Sequence, residues 1–333
     1  MNMQANGPVV SIEHLSKRFG EFVALNDVSI SLDRSRILGI IGPNGAGKTT
    51  MIKILVGLAK PSEGTASIAG VDCVREARKI KHLVGYMPDV FGSYDNMRVH
   101  EYLDFFGAAF GIKRKVRRTR IQEVMETTGS TYMQDRYVET LSHGMRQRIG
   151  IARTLLHDPE VLIFDEPANG LDPQARVEMR ELLLRLSAME KTLIVTSHIL
   201  PELSRICDRV AIITKGNLRA FGTLDDIMRT VNERRTIEVQ LVSGEDIESA
   251  QSILEKCTED GTEITASPSE AMVRFATSQS ELELSETLKK LVNGNVAVSQ
   301  FRELQSSLED AFLSVTKGDE TAEEADQQTE EPS

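Results

Sequence analysis

Short apolar runs bounded by turns open the chain, and residues 9–12, 28–32, 37–41 and 65–68 read as strands. A helix is expected to begin inside the glycine-rich stretch after Ile41 and to carry 51–58. From 97 to 157 the spacing turns helical, with Tyr102, Leu103, Phe105, Phe106 and Phe110 on one stripe and Ile121, Val124 and Met125 on another. Strands return at 161–164, 193–196 and 210–214, separated by helices at 173–189 and 201–207. Uninterrupted apolar strands alternating with helices predict an α/β protein whose mostly parallel sheet is covered on both faces. The block at about 90–157 reads as a helical lobe inserted into it.

After about Asp226 the pattern changes. Residues 227–235 read as a charged helix or connector. Beyond them come a strand (236–241), a helix (246–256), two strands around 263–276, a helix (280–291), a strand (296–301) and a short helix (306–315). That order predicts a small C-terminal α+β domain over 236–316. Residues 317–333 hold seven acids against one base and no large apolar side chain, which predicts a disordered acidic tail.

Charge and composition then narrow the function. The net charge of −11 argues against a nucleic-acid-binding body, and the tail supplies about half of it. The basic cluster at 113–120 runs into Glu123 and Glu126 and reads as a solvated helix face. Three distant cysteines, Cys73, Cys207 and Cys257, offer neither a disulfide framework nor a metal knuckle. No apolar run approaches the roughly 18–20 residues of a membrane span, and residues 1–8 lack the features of a secretory signal. The expected location is the cytoplasm, unless a partner holds the chain at a membrane.

The chemistry is concentrated at strand ends. Gly42, Pro43, Asn44, Gly45, Ala46, Gly47, Lys48 and Thr49 follow one strand and open a helix, with Thr50 next. Glycines there let backbone N–H groups approach phosphate oxygens, and the helix aims its positive end at the same atoms. Lys48 is expected to reach the β- and γ-phosphates and Thr49 to place its hydroxyl on Mg²⁺. Asp165 and Glu166 end the strand at 161–164; Asp165 suits a Mg²⁺ ligand through water, and Glu166 is free to polarise an attacking water. His198 ends the next strand and is expected to contact the γ-phosphate.

One further run, Leu141-Ser-His-Gly-Met-Arg-Gln-Arg148, resembles the LSGGQ-type signature of ATP-binding-cassette (ABC) ATPases. With Gly42–Thr49, the strand ending in Asp165 and Glu166, Asn169-Gly-Leu-Asp172 and His198, it resembles a complete cassette over 9–226. The resemblance implies the P-loop NTPase fold with an antiparallel β part. It also implies ATP and Mg²⁺ as ligands, and a head-to-tail dimer with a second ATPase subunit, the same chain or a related one. Ser142 and Gly144 of one subunit would then cap the γ-phosphate held by Lys48 of the other. Phe19 matches the aromatic that stacks on adenine in this family.

Three positions depart from the family pattern, among them Met145, which stands where glutamine is common. His143 stands where glycine is common, and Asp89 stands where a glutamine usually contacts Mg²⁺ and reports the nucleotide state. These features and the terminal phrase Ser307-Leu-Glu-Asp-Ala-Phe-Leu313 resemble the branch that powers ABC-2-type exporters. The implied partner is a separate integral membrane permease. It would dock in a groove between the helical lobe and the loop around Asp89, with Val90, Phe91 and Tyr94 as contacts, which puts the chain on the inner face of the cell membrane. The competing expectation is a soluble ABC ATPase acting on ribosomes or DNA. Those members generally carry two cassettes or long coiled coils, and one cassette without sustained heptads is present here.

Overall fold

A computed structural model describes residues 7–89, 92, 96–198, 203, 205–231, 235–258, 262 and 264–304. Val90, Phe91, Tyr94, the phrase beginning at Ser307, the expected helix at 306–315 and the acidic tail lie outside the described residues, as do Pro201, Glu202 and Ser204 of the helix expected at 201–207. The chain divides into two compact units, Met1–Leu224 and Asp225–Ser333.

The first unit is built on a ten-stranded sheet in the order β5-β4-β1-β2-β10-β9-β3-β8-β7-β6. Its central strands are β3 (Ile37–Ile41), β7 (Val161–Phe164) and β8 (Thr192–Ser197), every residue of which is buried. Burial on both faces explains why they read as unbroken apolar runs. Parallel pairing extends from them to β6 (Val84–Met87) and β9 (Arg209–Thr214). The other wing is antiparallel: β1 (Val10–Phe19), β2 (Phe22–Leu32), β4 (Glu63–Ile68) and β5 (Val71–Asp72). β10 (Asn217–Gly222) pairs antiparallel with β9 and meets β2 at Asn26.

Several strands differ from the expected pattern. β1 and β2 are twice the predicted length because register shifts between Ile12 and Arg18 break the alternation that periodicity detects. Residues 84–87, expected to be part of a loop, form strand β6 on the sheet edge, so Asp89 follows a strand.

Helices cover the sheet. α1 (Lys48–Leu55) begins three residues before the predicted stripe, directly after Gly47, and buries Met51, Ile52, Ile54 and Leu55. α2 (Ala77–Leu83) precedes β6. α3 (Val99–Ala109), α4 (Arg114–Thr127) and α5 (His143–Leu155) make the helical block, closing on Tyr102, Leu103, Val124, Met125 and Ile149. Arg117 is not a free charge in the basic cluster, since its Nε donates to Asp104 Oδ1 at 2.6 Å. α6 (Pro173–Ala188) starts sharply: Asp172 caps it by accepting from the Ala175 amide at 2.9 Å, and Pro173 supplies a fixed φ at the first helical position.

α7 (Leu224–Val231) leads out of the first unit. The second unit holds β11 (Arg235–Leu241), α8 (Ile247–Glu255), β12 (Ile264–Ser267), β13 (Met272–Thr277), α9 (Glu281–Asn293) and β14 (Val298–Leu304). Its four strands are antiparallel in the order β12-β13-β11-β14, a split β-α-β arrangement. Ile237, Val239, Leu241, Val273 and Phe275 form one core with Ala250, Leu254, Leu284 and Leu291 of the helices.

On β11, Glu238 interrupts this apolar set and is 2% exposed. Its register partners on both sides are arginines, and Arg274 Nε and Arg302 Nε each donate to its carboxylate at 2.8 Å. Burial by itself would raise this carboxyl, but the two guanidinium hydrogen bonds outweigh it and hold the pKa below the ordinary 4.5. Its stabilising contribution is therefore complete above the ordinary glutamate range and is lost as pH falls through the lowered value. Glu238→Gln should cost the second unit about 2 kcal/mol. Hydrogen exchange of the β11 amides at neutral pH should show it, with a smaller difference from wild type at acid pH.

Candidate functional site

The register of the central strands brings the chemistry together. Ile41 is level with Ser197, and Phe164 with Val195, so the residues after β3, β7 and β8 emerge at one edge. After β3 the chain turns through Gly42–Gly47 into α1. Gly47 has φ +106°, and a Cβ there would lie 2.4 Å from Ala24 O; one on Gly42 would lie 2.2 Å from Ile213 O. Only glycine fits either position. The resulting loop, with the start of α1, Asp89, Asp165 and Glu166, lines a cleft of about 280 Å³. Among the described residues the amides of Gly45, Gly47 and Lys48, all three on the lining of this cleft, have no hydrogen-bond acceptor.

Lys48 is buried in the loop. Its Nζ donates to Gly42 O at 2.6 Å and to Pro43 O at 3.3 Å, and lies 3.3 Å from Glu166 Oε1. The last contact is an ion pair without hydrogen-bond alignment, so Glu166 Oε1 is buried and receives no hydrogen bond among the described residues. Glu166 Oε2 is taken: His198 Nδ1 lies 2.8 Å away and the His198 amide donates to it at 3.3 Å. Because a carboxylate only accepts, the imidazole carries a proton on Nδ1.

Thr196 organises both acids. Its hydroxyl donates to Asp165 Oδ1 at 2.7 Å and accepts from the Glu166 amide at 2.8 Å. That bond helps to hold Glu166 at φ +52°, a left-handed conformation that a glutamate adopts only under constraint. Thr49 Oγ1 donates to Asp165 Oδ2 at 3.1 Å. Burial raises the Asp165 pKa above the usual carboxylate value against the pull of these two hydroxyls, and the charges of Glu166 and Asp89 add to the rise. Such a set of acids beside a serviceable hydroxyl suits a cation. Among the described residues no three His, Cys, Asp or Glu side chains are placed to hold a metal by themselves. That fits Mg²⁺, which keeps waters and phosphate oxygens in its shell.

The structure thus joins Lys48, Thr49, Asp89, Asp165, Glu166 and His198. It does not join them to Ser142 and Gly144. Ser142 caps α5 by accepting from the Met145 amide at 3.3 Å, and both residues line a second cleft of about 290 Å³ with His143, Leu171 and Asp172. Phe19 is also apart from the phosphate cleft: it is 54% exposed, with Lys17 Nζ 4.7 Å from its ring centre. The aromatic lining the cleft is Phe22, its register partner across the β1–β2 turn.

Sequence reasoning missed Thr196 and Phe22. Thr196 could have been found from strand register, since it falls beside Asp165 once 161–164 and 193–196 are paired. Nothing in the pattern distinguished Phe22 from Phe19.

A mixed sheet whose parallel half carries a glycine loop at the end of β3 and paired acids at the end of β7 defines a P-loop nucleotide-binding protein. The family model described as ABC transporter matches residues 25–169. The Nod factor export ATP-binding protein I of Ralstonia nicotianae is 35% identical over 247 residues, covering 74% of this chain and 76% of that protein. The linearmycin resistance ATP-binding protein LnrL of Bacillus subtilis is 30% identical over 308 residues, 92% of this chain and 98% of that protein. A solved ATP-binding subunit of an ABC transporter has a TM-score of 0.61 and 29% identity, over 67% of this chain and 93% of that one. The chain belongs to the ABC transporter ATP-binding proteins. No helix among the described residues is long and apolar enough to cross a membrane.

Proposed function

We propose that this chain hydrolyses ATP as the motor subunit of an exporter whose permease is a separate membrane protein. The observation that carries the reading is the chain of contacts Lys48–Glu166–His198, at 3.3 and 2.8 Å, with Glu166 Oε1 buried beside Lys48 and receiving no hydrogen bond among the described residues. Lys48 turns from Gly42 O to the β- and γ-phosphate oxygens, and the free amides of Gly45, Gly47 and Lys48 bind the same groups. Thr49 and Asp165 hold Mg²⁺, which supplies neutralisation of the phosphate charge when bound. Glu166 Oε1 accepts a hydrogen bond from the attacking water, and His198 fixes the other carboxylate oxygen and offers Nε2 to the γ-phosphate.

The detached Ser142–Gly144 cleft supports the remainder of the reading. A second ATPase subunit, this chain or a related one, brings that helix start over the nucleotide held by Lys48, so that ATP joins the pair and its hydrolysis releases it. Phe19 and Phe22 at the β1–β2 turn offer rings to the adenine.

The permease has a fitting surface. A groove of about 390 Å³ is lined by Leu58, Tyr86, Pro88, Phe106, Phe110 and His157, among others. It is apolar, large enough for one face of a helix, and reaches within a residue of Asp89. The names of the relatives, which concern Nod factor export and linearmycin resistance, favour export.

Purification of the tagged chain from solubilised membranes tests the proposal. An integral membrane protein of about six spans should accompany it, and Phe110→Asp should abolish that association while nucleotide binding persists. Recovery with ribosomes or DNA instead would reject the exporter reading, and unchanged association of Phe110→Asp would reject the groove.

A further inference from the structure

Two of the positions that depart from the family pattern meet on one residue. Asp89 lines the phosphate cleft and His143 the detached cleft, and neither side chain touches the other. Between them stands Asn169, in the loop that runs from Glu166 to the cap of α6. Its Nδ2 donates to Asp89 Oδ1 at 3.4 Å, and its carbonyl oxygen lies 2.9 Å from His143 Nε2. A carbonyl only accepts, so His143 presents Nε2–H to it. The ring lies against the next residue as well: a Cβ on Gly170 would sit 3.5 Å from His143 Nε2. Glycine at 143 could make neither contact.

We propose that Asp89, Asn169 and His143 form a latch that reports occupancy of the phosphate cleft to the start of α5. The Asp89 carboxylate takes the Asn169 side-chain amide, and His143 grips the same residue from the other side, so the loop is held at both flanks. The Asp89 bond is the weaker of the two, long and to a neutral donor. A cation entering with nucleotide phosphates gives the carboxylate a stronger partner, and Asn169 is released. His143 then bears on a loosened loop, and the Ser142–Gly144 helix start becomes free to shift toward a second subunit. Asp89 and His143 are positioning residues in this scheme and act through Asn169.

Amide hydrogen exchange in the full chain tests the latch, using the loop's two internal bonds, Asn169 N to Glu166 O at 3.1 Å and Leu171 N to Ala168 O at 3.3 Å. Without nucleotide, Asp89→Ala and His143→Ala should each speed exchange of these amides about fivefold, as expected from losing one modest hydrogen bond. Independent contacts would multiply. A latch that opens from either side gives the double variant about the same fivefold, and His143→Gln, which keeps an N–H donor, should restore protection. Adding ADP with Mg²⁺ to wild type should speed the same amides, and Asp89→Ala should remove that response. A multiplicative double variant, or Asp89→Ala within twofold of wild type, overturns the latch. The Mg²⁺ arm rests on the ATP reading of the cleft, whereas the nucleotide-free arm does not. Failure to bind ADP at all would therefore count against the proposed function and leave the first arm to decide the latch.

Discussion

Glu166→Gln should lower ATP turnover by about a thousandfold while nucleotide stays bound. The side chain keeps its shape, and a carbonyl oxygen can still accept from His198 Nδ1, so the contact at 2.8 Å survives. What disappears is the anionic Oε1 that receives no hydrogen bond among the described residues. Removing a positioned general base commonly costs 10²–10⁴ in rate, and the middle of that range suits a carboxylate whose neighbours remain. Steady-state phosphate release would measure the loss, and size exclusion in the presence of ATP should reveal a persistent dimer. Turnover within a few fold of wild type would remove Glu166 from the mechanism and point to another base.

Lys48→Ala should abolish tight nucleotide binding, weakening it by about two orders of magnitude. A charge-assisted hydrogen bond contributes about 1.5–3 kcal/mol, and Lys48 is positioned to offer more than one from a site only 6% exposed. The variant also strips Glu166 of the cation 3.3 Å from its carboxylate, leaving an acid beside Asp165 and Asp89 with no counter-charge in the cleft. Lys48→Arg should not rescue binding, because the ammonium sits 2.6 Å from Gly42 O, where a planar guanidinium cannot turn. Titration calorimetry with ADP distinguishes the outcomes: near-native affinity in Lys48→Ala would show that the loop amides carry the phosphates without it.

The central strands were legible because burial on both faces writes itself as an unbroken apolar run, as in Val161–Phe164. The shorter β6 was not, since Gly85 and Tyr86 dilute four residues that pack only at the sheet's margin. β10 was hidden for a related reason: none of its residues is buried, so no face stands out. At the site, the acids and the glycine loop announced themselves by type and by position after a strand. Thr196 did not, because a threonine in a strand is ordinary until register sets its hydroxyl between the Asp165 carboxylate and the Glu166 amide. The link through Asn169 was beyond reach of sequence altogether. It depends on a loop bringing residues 80 and 26 positions away to opposite sides of one side chain and its carbonyl.

The left-handed backbone at Glu166 carries an evolutionary consequence. A non-glycine residue in that region costs roughly 1 kcal/mol, and asparagine or glycine would bear it more easily. Thr196 restrains the strain but does not remove it. For folding alone, then, the left-handed backbone counts against glutamate at this position, and the proposed role in turnover favours its retention. In a lineage whose copy no longer needed to hydrolyse nucleotide, position 166 would be among the first to drift, and drift there would make the protein more stable.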